Sequence, residues 1–159
     1  MNIFNAAEII DIGIEKEKKR RDFYALVAET YQDKDMKDLF TKLKNWEEAH
    51  IKKFTEIRNT ANQDLSATES FAGEFKIYMD SLVDNMLYKD ISPKIFNDKV
   101  KSPLSAIQYG IMFEKDAILF FLELLPYMDA HNKEAVESLI NEEKQHLIYL
   151  NELKQKIKN

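Results

Sequence analysis

Apolar residues recur along most of this chain at spacings of three and four, which is the repeat of an α-helix rather than of a strand. The pattern predicts four long helices: residues 5–31, residues 35–59, a third that starts at Ser102-Pro103 and breaks at Pro126, and a fourth that starts near Asn132. The Ser-Pro pair is a typical helix start, because serine caps free N–H groups and proline fits the first turn. We therefore expect an all-α protein.

The segment between the second and third long helices is less regular. Residues 60–70 are polar and predict a loop, and residues 88–102, around Pro93, predict irregular structure. Between them, apolar residues return at helical spacing and predict one shorter helix: Phe71, Phe75, Met79, Leu82 and Met86. Because short turns join the first helix to the second and the third to the fourth, the chain predicts an antiparallel four-helix bundle with one long crossover, folded as a single domain over residues 1–159.

A glutamate interrupts the apolar stripe of each long helix, at Glu17, Glu47, Glu114 and Glu143. Two of them are followed three residues later by a histidine, His50 or His146, and the chain has only three histidines. Residues three apart share one face of a helix, so each pair presents a carboxylate and an imidazole to the same point. Two such pairs and two lone glutamates form the pattern of a carboxylate-bridged dinuclear metal site inside a four-helix bundle.

Burial supports this interpretation of the glutamates. A buried carboxylate without a partner costs on the order of a few kcal/mol or stays protonated, and a pair of divalent ions would supply the compensating charge. Four carboxylates and two imidazoles suit iron or manganese, whereas zinc prefers fewer, tetrahedral ligands. The alternative is that Glu17 and Glu114 lie on a solvated face and that the histidines are ordinary core residues.

The two halves of the chain repeat this pattern. The separation of Glu17 from Glu47 is nearly that of Glu114 from Glu143, and an aromatic residue follows each lone glutamate by seven positions, Tyr24 in the first half and Phe121 in the second. Tyr24 is either a core aromatic residue or a hydroxyl donor to a ligand carboxylate.

Other charged and aromatic residues receive plainer interpretations. The residues expected to be solvated are Glu15, Glu48, Glu142 and the basic run of the first helix, Lys16, Lys18, Lys19, Arg20 and Arg21. His131 falls in a predicted turn and is expected at the surface. Apart from Glu123, residues 118–125 are apolar all round, which predicts burial against a second subunit of a homodimer.

Composition narrows the possible functions. The chain has no cysteine, which excludes disulfides, zinc–thiolate sites and iron–sulfur or rubredoxin-type centres within it. A net charge of −5 argues against nucleic acid as a partner. Residues 1–8 lack the basic and apolar regions of a signal peptide, and the apolar run 117–128 is interrupted by Glu123 and Pro126 and is too short to span a membrane. We expect a cytoplasmic protein without a membrane partner.

With these residues in place, the chain resembles the rubrerythrin-like branch of the ferritin-like superfamily over nearly its whole length. The resemblance rests on four stretches: Glu17 with Phe23-Tyr24, Trp46-Glu47-Glu48-Ala49-His50, Phe113-Glu114-Lys115-Asp116 with Phe120-Phe121, and Glu142-Glu143-Lys144-Gln145-His146. It implies a ferritin-like fold and two iron ions, or manganese, held by Glu17, Glu47, His50, Glu114, Glu143 and His146. The glutamates of the two Glu-x-x-His motifs would bridge the ions, and the lone glutamates would be terminal ligands.

The resemblance also implies an oxidoreductase that reduces hydrogen peroxide or O₂ in oxidative stress or iron handling. Because the cysteine-held rubredoxin centre of full rubrerythrins is absent, the electrons would come from an external electron-donor protein. Rubrerythrins carry a further glutamate on the third long helix, whereas Ile111 and Ala117 occupy the positions three residues from Glu114.

Two other functions remain open at this point. Bacterioferritin-like iron storage uses the same six ligand types, although Glu48 stands where that family has its haem-ligating methionine. A metal-binding protein without turnover is the third possibility.

Overall fold

The four long helices predicted from the apolar pattern are present in the structure, a computed structural model that describes residues 6–61, 72–82 and 91–158. In chain order the helices are α1 (Ala6–Thr30), α2 (Lys34–Thr60), α3 (Ala72–Ser81), α4 (Pro93–Lys99), α5 (Pro103–Leu124) and α6 (Ala130–Lys158), with a 3-10 turn (Leu125–Tyr127) before α6. No strand occurs in the described ranges, so the all-α prediction is confirmed. The predictions that involve Asn5, Phe71, Met86 and the stretches 62–70 and 83–90 lie outside these ranges.

Side-chain caps fix where the long helices begin. Asp33 precedes α2, and its carboxylate accepts a hydrogen bond from the backbone N–H of Met36 at 3.0 Å. Ser102 precedes α5 and forms a reciprocal capping box with Ser105, in which each hydroxyl accepts from the other residue's N–H at 3.0–3.1 Å. These bonds satisfy N–H groups that have no partner within the helix, which explains why the predicted starts lie close to the observed ones.

The crossover differs from the prediction at α4, because residues 93–99 were expected to be irregular. Ser92-Pro93 is the same helix start as Ser102-Pro103, and the Ser92 hydroxyl accepts from the N–H of Ile95 at 3.3 Å. The helix has only two turns, so its stability depends on tertiary packing. Phe96 is fully buried, and its ring centroid lies 5.7 Å from that of Phe23 on α1. The part of the crossover that the structure describes therefore carries two short helices, where the sequence predicted one.

The long helices close into a four-helix bundle. α1 packs against α2 and α5, and α6 packs against the same two helices. Two apolar clusters fill the bundle, one built around Phe23, Phe40 and Phe113 and the other around Phe54, Phe120 and Phe121. Buried polar side chains from all four helices belong to neither cluster. None of the described helices is both long enough and apolar enough to cross a membrane.

A glycine lies one turn before the glutamate of α1 and of α5. A β-carbon at Gly13 would lie 3.0 Å from the rings of Phe54 and Phe120, and one at Gly110 would lie 3.3 Å from the Leu150 side chain. The absence of a side chain at these positions lets the apolar clusters pack directly against the turn below Glu17 and Glu114. The repeat between the two halves of the chain therefore extends to the packing around them.

The cap at Asp33 can be tested by substitution. Asp33→Ala should lower the free energy of unfolding by about 1 kcal/mol, because the N–H of Met36 loses its acceptor. Asp38→Ala, which removes an exposed acid from the same helix, is the control. Urea denaturation of both variants measures the difference, and an equal loss in the two would show that Asp33 acts only through its charge.

Candidate metal centre

The structure brings the six predicted site residues together at the centre of the bundle. Glu17 comes from α1, Glu47 and His50 from α2, Glu114 from α5, and Glu143 and His146 from α6. The first five are fully buried and His146 is 3% exposed. The alternative in which Glu17 and Glu114 face solvent is therefore wrong.

Glu143 lies between the two imidazole rings. Its Oε1 is 3.1 Å from Nδ1 of His50, and its Oε2 is 2.8 Å from Nδ1 of His146. Glu47 is placed in the same way, with Oε2 3.6 Å from Nδ1 of His50 and Oε1 3.6 Å from Nδ1 of His146. Each of these carboxylates thus turns one oxygen toward each histidine, which is the arrangement that a carboxylate needs to bridge two ions.

The lone glutamates divide between the two histidines. Oε2 of Glu17 lies 3.6 Å from Nδ1 of His50, and Oε1 of Glu114 lies 3.8 Å from Nδ1 of His146. We call the first group the His50 half-site, formed by Glu17, His50, Glu47 Oε2 and Glu143 Oε1. The second is the His146 half-site, formed by Glu114, His146, Glu47 Oε1 and Glu143 Oε2.

Several polar atoms of the site are buried without a hydrogen bond of acceptable geometry: Oε2 of Glu17, both carboxylate oxygens of Glu47, Oε2 of Glu114, Oε2 of Glu143 and Nδ1 of His146. The close approach of His146 Nδ1 to Glu143 is therefore badly directed for a hydrogen bond. Buried polar atoms are rarely left in this state. One ligand atom from each of Glu47, His50, Glu143 and His146 lies within 4.8 Å of the others. These residues therefore fit a divalent ion, whose charge and open coordination would satisfy the buried lone pairs.

The surroundings shift the pKa values of the four carboxyl groups in different directions. Burial raises the pKa of Glu17 to about 8, against the opposing pull of Arg20. Burial and the charges of Glu143 and Glu47 raise the pKa of Glu114 well above its usual range. Burial opposes ionisation of Glu143 too, but the imidazolium groups of His50 and His146 hold its pKa at about 2. The site therefore disfavours ionisation of the lone glutamates and favours ionisation of Glu143 beside the histidines.

Tyr24 is the donor that the sequence left as one of two possibilities. Its hydroxyl is fully buried and donates a hydrogen bond to Oε1 of Glu114. Burial and the charge of Glu114 raise the pKa of Tyr24 well above its usual range, so the hydroxyl keeps its proton. Tyr24 therefore fixes Oε1 of Glu114, the oxygen that lies 3.8 Å from Nδ1 of His146, and leaves Oε2 buried without a hydrogen bond.

Glu142 was expected to be solvated only, but its carboxylate also accepts hydrogen bonds from a buried histidine and from a lysine. Its side chain is 40% exposed, yet its Oε2 accepts from Nε2 of His50 at 2.9 Å and its Oε1 accepts from Nζ of Lys53 at 2.7 Å. These two donors hold the pKa of Glu142 at about 2. Because an ionised carboxylate can only accept, Nε2 of His50 carries a proton whether the ring is neutral or charged, and Nδ1 faces the site.

Arg20 and Lys16 are the clearest corrections, because both were assigned to the solvated side of the first helix. Arg20 is 1% exposed, and its guanidinium forms ion pairs with Glu17, Glu47 and Glu143. Lys16 is 8% exposed and its Nζ donates to the carbonyl oxygen of Met79 at 3.3 Å. The helical spacing contained a signal, since Arg20 lies three residues after Glu17 and four before Tyr24, on the same inner face.

The remaining surface predictions agree with the structure. Glu15 and Glu48 have side chains that are 64% and 47% exposed, and His131 is exposed. Residues 118–125 are only partly buried, since Leu119 and Leu122 are 41% and 47% exposed.

Trp46, which the sequence marked only as part of a motif, stacks on the His146 ring with 4.8 Å between centroids and an angle of 9°.

The fold has a known counterpart. The crystal structure of a protein from Thermotoga maritima, provisionally described as a ferritin-like diiron-carboxylate protein, is similar to this chain with a TM-score of 0.69 and 21% sequence identity, covering 98% of this chain and 97% of that one. No protein-family profile and no curated protein sequence matches the chain. The similarity shows that the bundle has the ferritin-like fold.

Glu142 offers a test of how His50 is oriented. Glu142→Ala should weaken binding of Mn²⁺ by about 10- to 100-fold, because an outer carboxylate fixes the ring and raises the basicity of its other nitrogen. Glu142→Gln keeps an acceptor and should lose less affinity. The matched control is Glu152→Ala, which removes an exposed glutamate from the same helix. Calorimetric titration measures the Mn²⁺ affinity of all three variants. Equal affinities for Glu142→Ala and the control would contradict this role.

Proposed function

We propose that this protein is a non-haem di-iron carboxylate protein of the rubrerythrin-like type, with di-manganese as the other possible form, that reduces hydrogen peroxide or O₂. The observation that carries the proposal is the placement of Glu47 and Glu143, each with one oxygen toward His50 and one toward His146. Glu17 and Glu114 complete the two half-sites, one at each histidine. Six ligands with two shared carboxylates serve two ions better than one.

Two bound iron ions would supply the two electrons that, with two protons, convert hydrogen peroxide to two molecules of water. The protein's part is to hold the ligands and exclude bulk water. Buried aromatic rings flank the site, including the stacked pair Phe54 and Phe121, whose centroids are 4.9 Å apart. The stacked indole of Trp46 covers one face of the His146 ring.

A chain of hydrogen bonds that orients His50 supports the same proposal. His50 reaches from the buried site to Glu142, and Glu142 reaches the exposed ammonium group of Lys53. The side chains of Glu142 and Lys53 are 40% and 45% exposed. Lys53 and Glu142 therefore hold the Nε2–H of His50 from outside and leave Nδ1 to face the site.

The electron source and the assembly are further parts of the proposal. The chain has no cysteine with which to hold its own rubredoxin-type centre, so an external electron-donor protein would restore the reduced state after each turnover. We also propose a homodimer, in which Leu119 and Leu122, exposed on α5, lie in the interface.

Metal binding should stabilise the fold, because a buried site does not exist in the unfolded chain. With free Fe²⁺ or Mn²⁺ at about 100 times the dissociation constant, the stabilisation is about 2.7 kcal/mol, or roughly 5–10 °C in Tm for a chain of this size. Glu47→Ala and Glu143→Ala should lose this shift, whereas the exposed Glu56→Ala should keep it. Melting curves recorded anaerobically with metal and with chelator test the expectation, and identical curves would rule out a buried site.

The oxidoreductase activity can be tested in a single turnover. Anaerobic protein loaded with Fe²⁺ is mixed with hydrogen peroxide or O₂, and the ferric absorbance is followed in a stopped-flow instrument. His146→Ala should slow the oxidation by at least about tenfold, as expected for loss of a group at the reacting site, whereas the exposed His131→Ala should react like the wild type. If the loaded wild-type protein were inert to both oxidants, metal binding would stand and the oxidoreductase function would not.

A further inference from the structure

The Arg20 guanidinium pairs with carboxylate oxygens of the His50 half-site. Its Nη2 pairs with Oε1 of Glu17 and lies 3.5 Å from Oε1 of Glu143, and its Nε lies 3.6 Å from Oε2 of Glu47. The last two oxygens are those that face His50. A buried cation is thus already placed against all three carboxylates of the His50 half-site.

The His146 half-site is built differently. Its lone carboxylate, Glu114, accepts a hydrogen bond from the neutral hydroxyl of Tyr24. In the repeat that relates the two halves of the chain, the position of Arg20 corresponds to Ala117, three residues after Glu114. The two half-sites have equivalent ligands. Three residues after the lone glutamate, however, the His50 half-site has an arginine and the His146 half-site has an alanine.

This difference affects how a divalent ion can bind. A guanidinium stays protonated at all ordinary pH values and presents its donors in a fixed plane, so it cannot release its charge when another cation approaches. An ion in the His50 half-site would need two of the oxygens that Arg20 contacts, Oε2 of Glu47 and Oε1 of Glu143. It would also face the repulsion of the guanidinium at short range, where burial makes charge interactions strong. An ion in the His146 half-site would bind ligands that Arg20 contacts only at their far oxygens or not at all.

We propose that Arg20 is the resident counter-ion of the His50 half-site and makes the two metal positions unequal. The first divalent ion binds in the His146 half-site. The second binds more weakly in the His50 half-site, because it must displace the guanidinium from Glu17, Glu47 and Glu143. This inference rests on the proposed function, since it assumes that the site binds two ions.

A place for the displaced guanidinium is close by. Asp116, half-buried on α5, is near enough to Arg20 and Lys16 that both attract its carboxylate, although its burial raises the pKa of the group. A rotation of the Arg20 side chain toward Asp116 would keep the guanidinium paired while its former oxygens bind the second ion. The cost of breaking three ion pairs then appears as a lower affinity at the second position.

The test uses anaerobic Mn²⁺ titration of the full chain, followed by calorimetry and by electron paramagnetic resonance. For the wild type we expect one tight ion and a second that binds at least about tenfold more weakly, as the short-range repulsion requires. At one equivalent the spectrum should be the six lines of isolated Mn²⁺. The broadened signal of a coupled pair should grow in only with excess metal.

Substitution of Arg20 separates its charge from its packing. Arg20→Met keeps much of the apolar stem but removes the charge, and it should bring the two dissociation constants together, so that coupled pairs form at lower Mn²⁺. Arg20→Lys restores a cation and should restore the inequality. Arg21→Met is the matched control, because it removes the neighbouring arginine, which is partly exposed and paired with Asp22 and Glu48, and it should bind as the wild type does.

The ligands provide a second test that does not depend on Arg20 variants folding. Glu114→Gln should abolish the tight ion, whereas Glu17→Gln should abolish only the weak one. If the wild-type affinities are equal, if Arg20→Met leaves their ratio unchanged, or if Glu17→Gln removes the tight ion, the inference is wrong while the proposed metal centre stands. A wild-type protein that binds no ion overturns both.

Discussion

Four carboxyl groups buried at the centre of an apolar helical bundle form the constraint on which the rest of this structure depends. Apolar packing cannot stabilise ionised groups there, so each must be neutralised, paired or coordinated. The protein uses several means together: burial raises the pKa of Glu17 and of Glu114, imidazolium groups face Glu143, and Arg20 on α1 pairs with carboxylates of α2 and α6. A divalent ion would take over the compensation of these buried negative charges, which is why folding and metal binding should be coupled in this chain.

The same constraint organises the fold around the site. The two apolar clusters are built from the same four helices that carry the ligands, and Gly13 and Gly110 allow large side chains to approach within one turn of Glu17 and Glu114. Close packing holds the carboxylates in fixed rotamers and keeps bulk water away. Each helix contributes both to the core and to the centre, so a shift of any one of them would move a ligand.

The sequence predicted the parts of this arrangement that depend on periodicity. The helices, the burial of the four glutamates and the nearness of His50 to His146 follow from which residues share a face. Arg20 was misplaced because its residue type was given more weight than its position on that face. Glu142 was misplaced because a half-exposed side chain can still bond a buried ring. α4 was missed because its two turns are too short for a periodic pattern; only the Ser92-Pro93 start marks it locally, and the contact of Phe96 with Phe23 stabilises it. The contacts of Glu142 and of Phe96 are tertiary, and periodicity does not report them.

The position of Trp46 makes its fluorescence sensitive to what binds at the site. It is the chain's single tryptophan, and its indole lies flat against His146, next to one half of the site. Tryptophan fluorescence therefore originates within a few ångströms of that position, and a paramagnetic ion bound there would quench it far more than an ion at the surface. The protein thus carries an intrinsic reporter of occupancy at the His146 half-site, which can be read in dilute solution without a label.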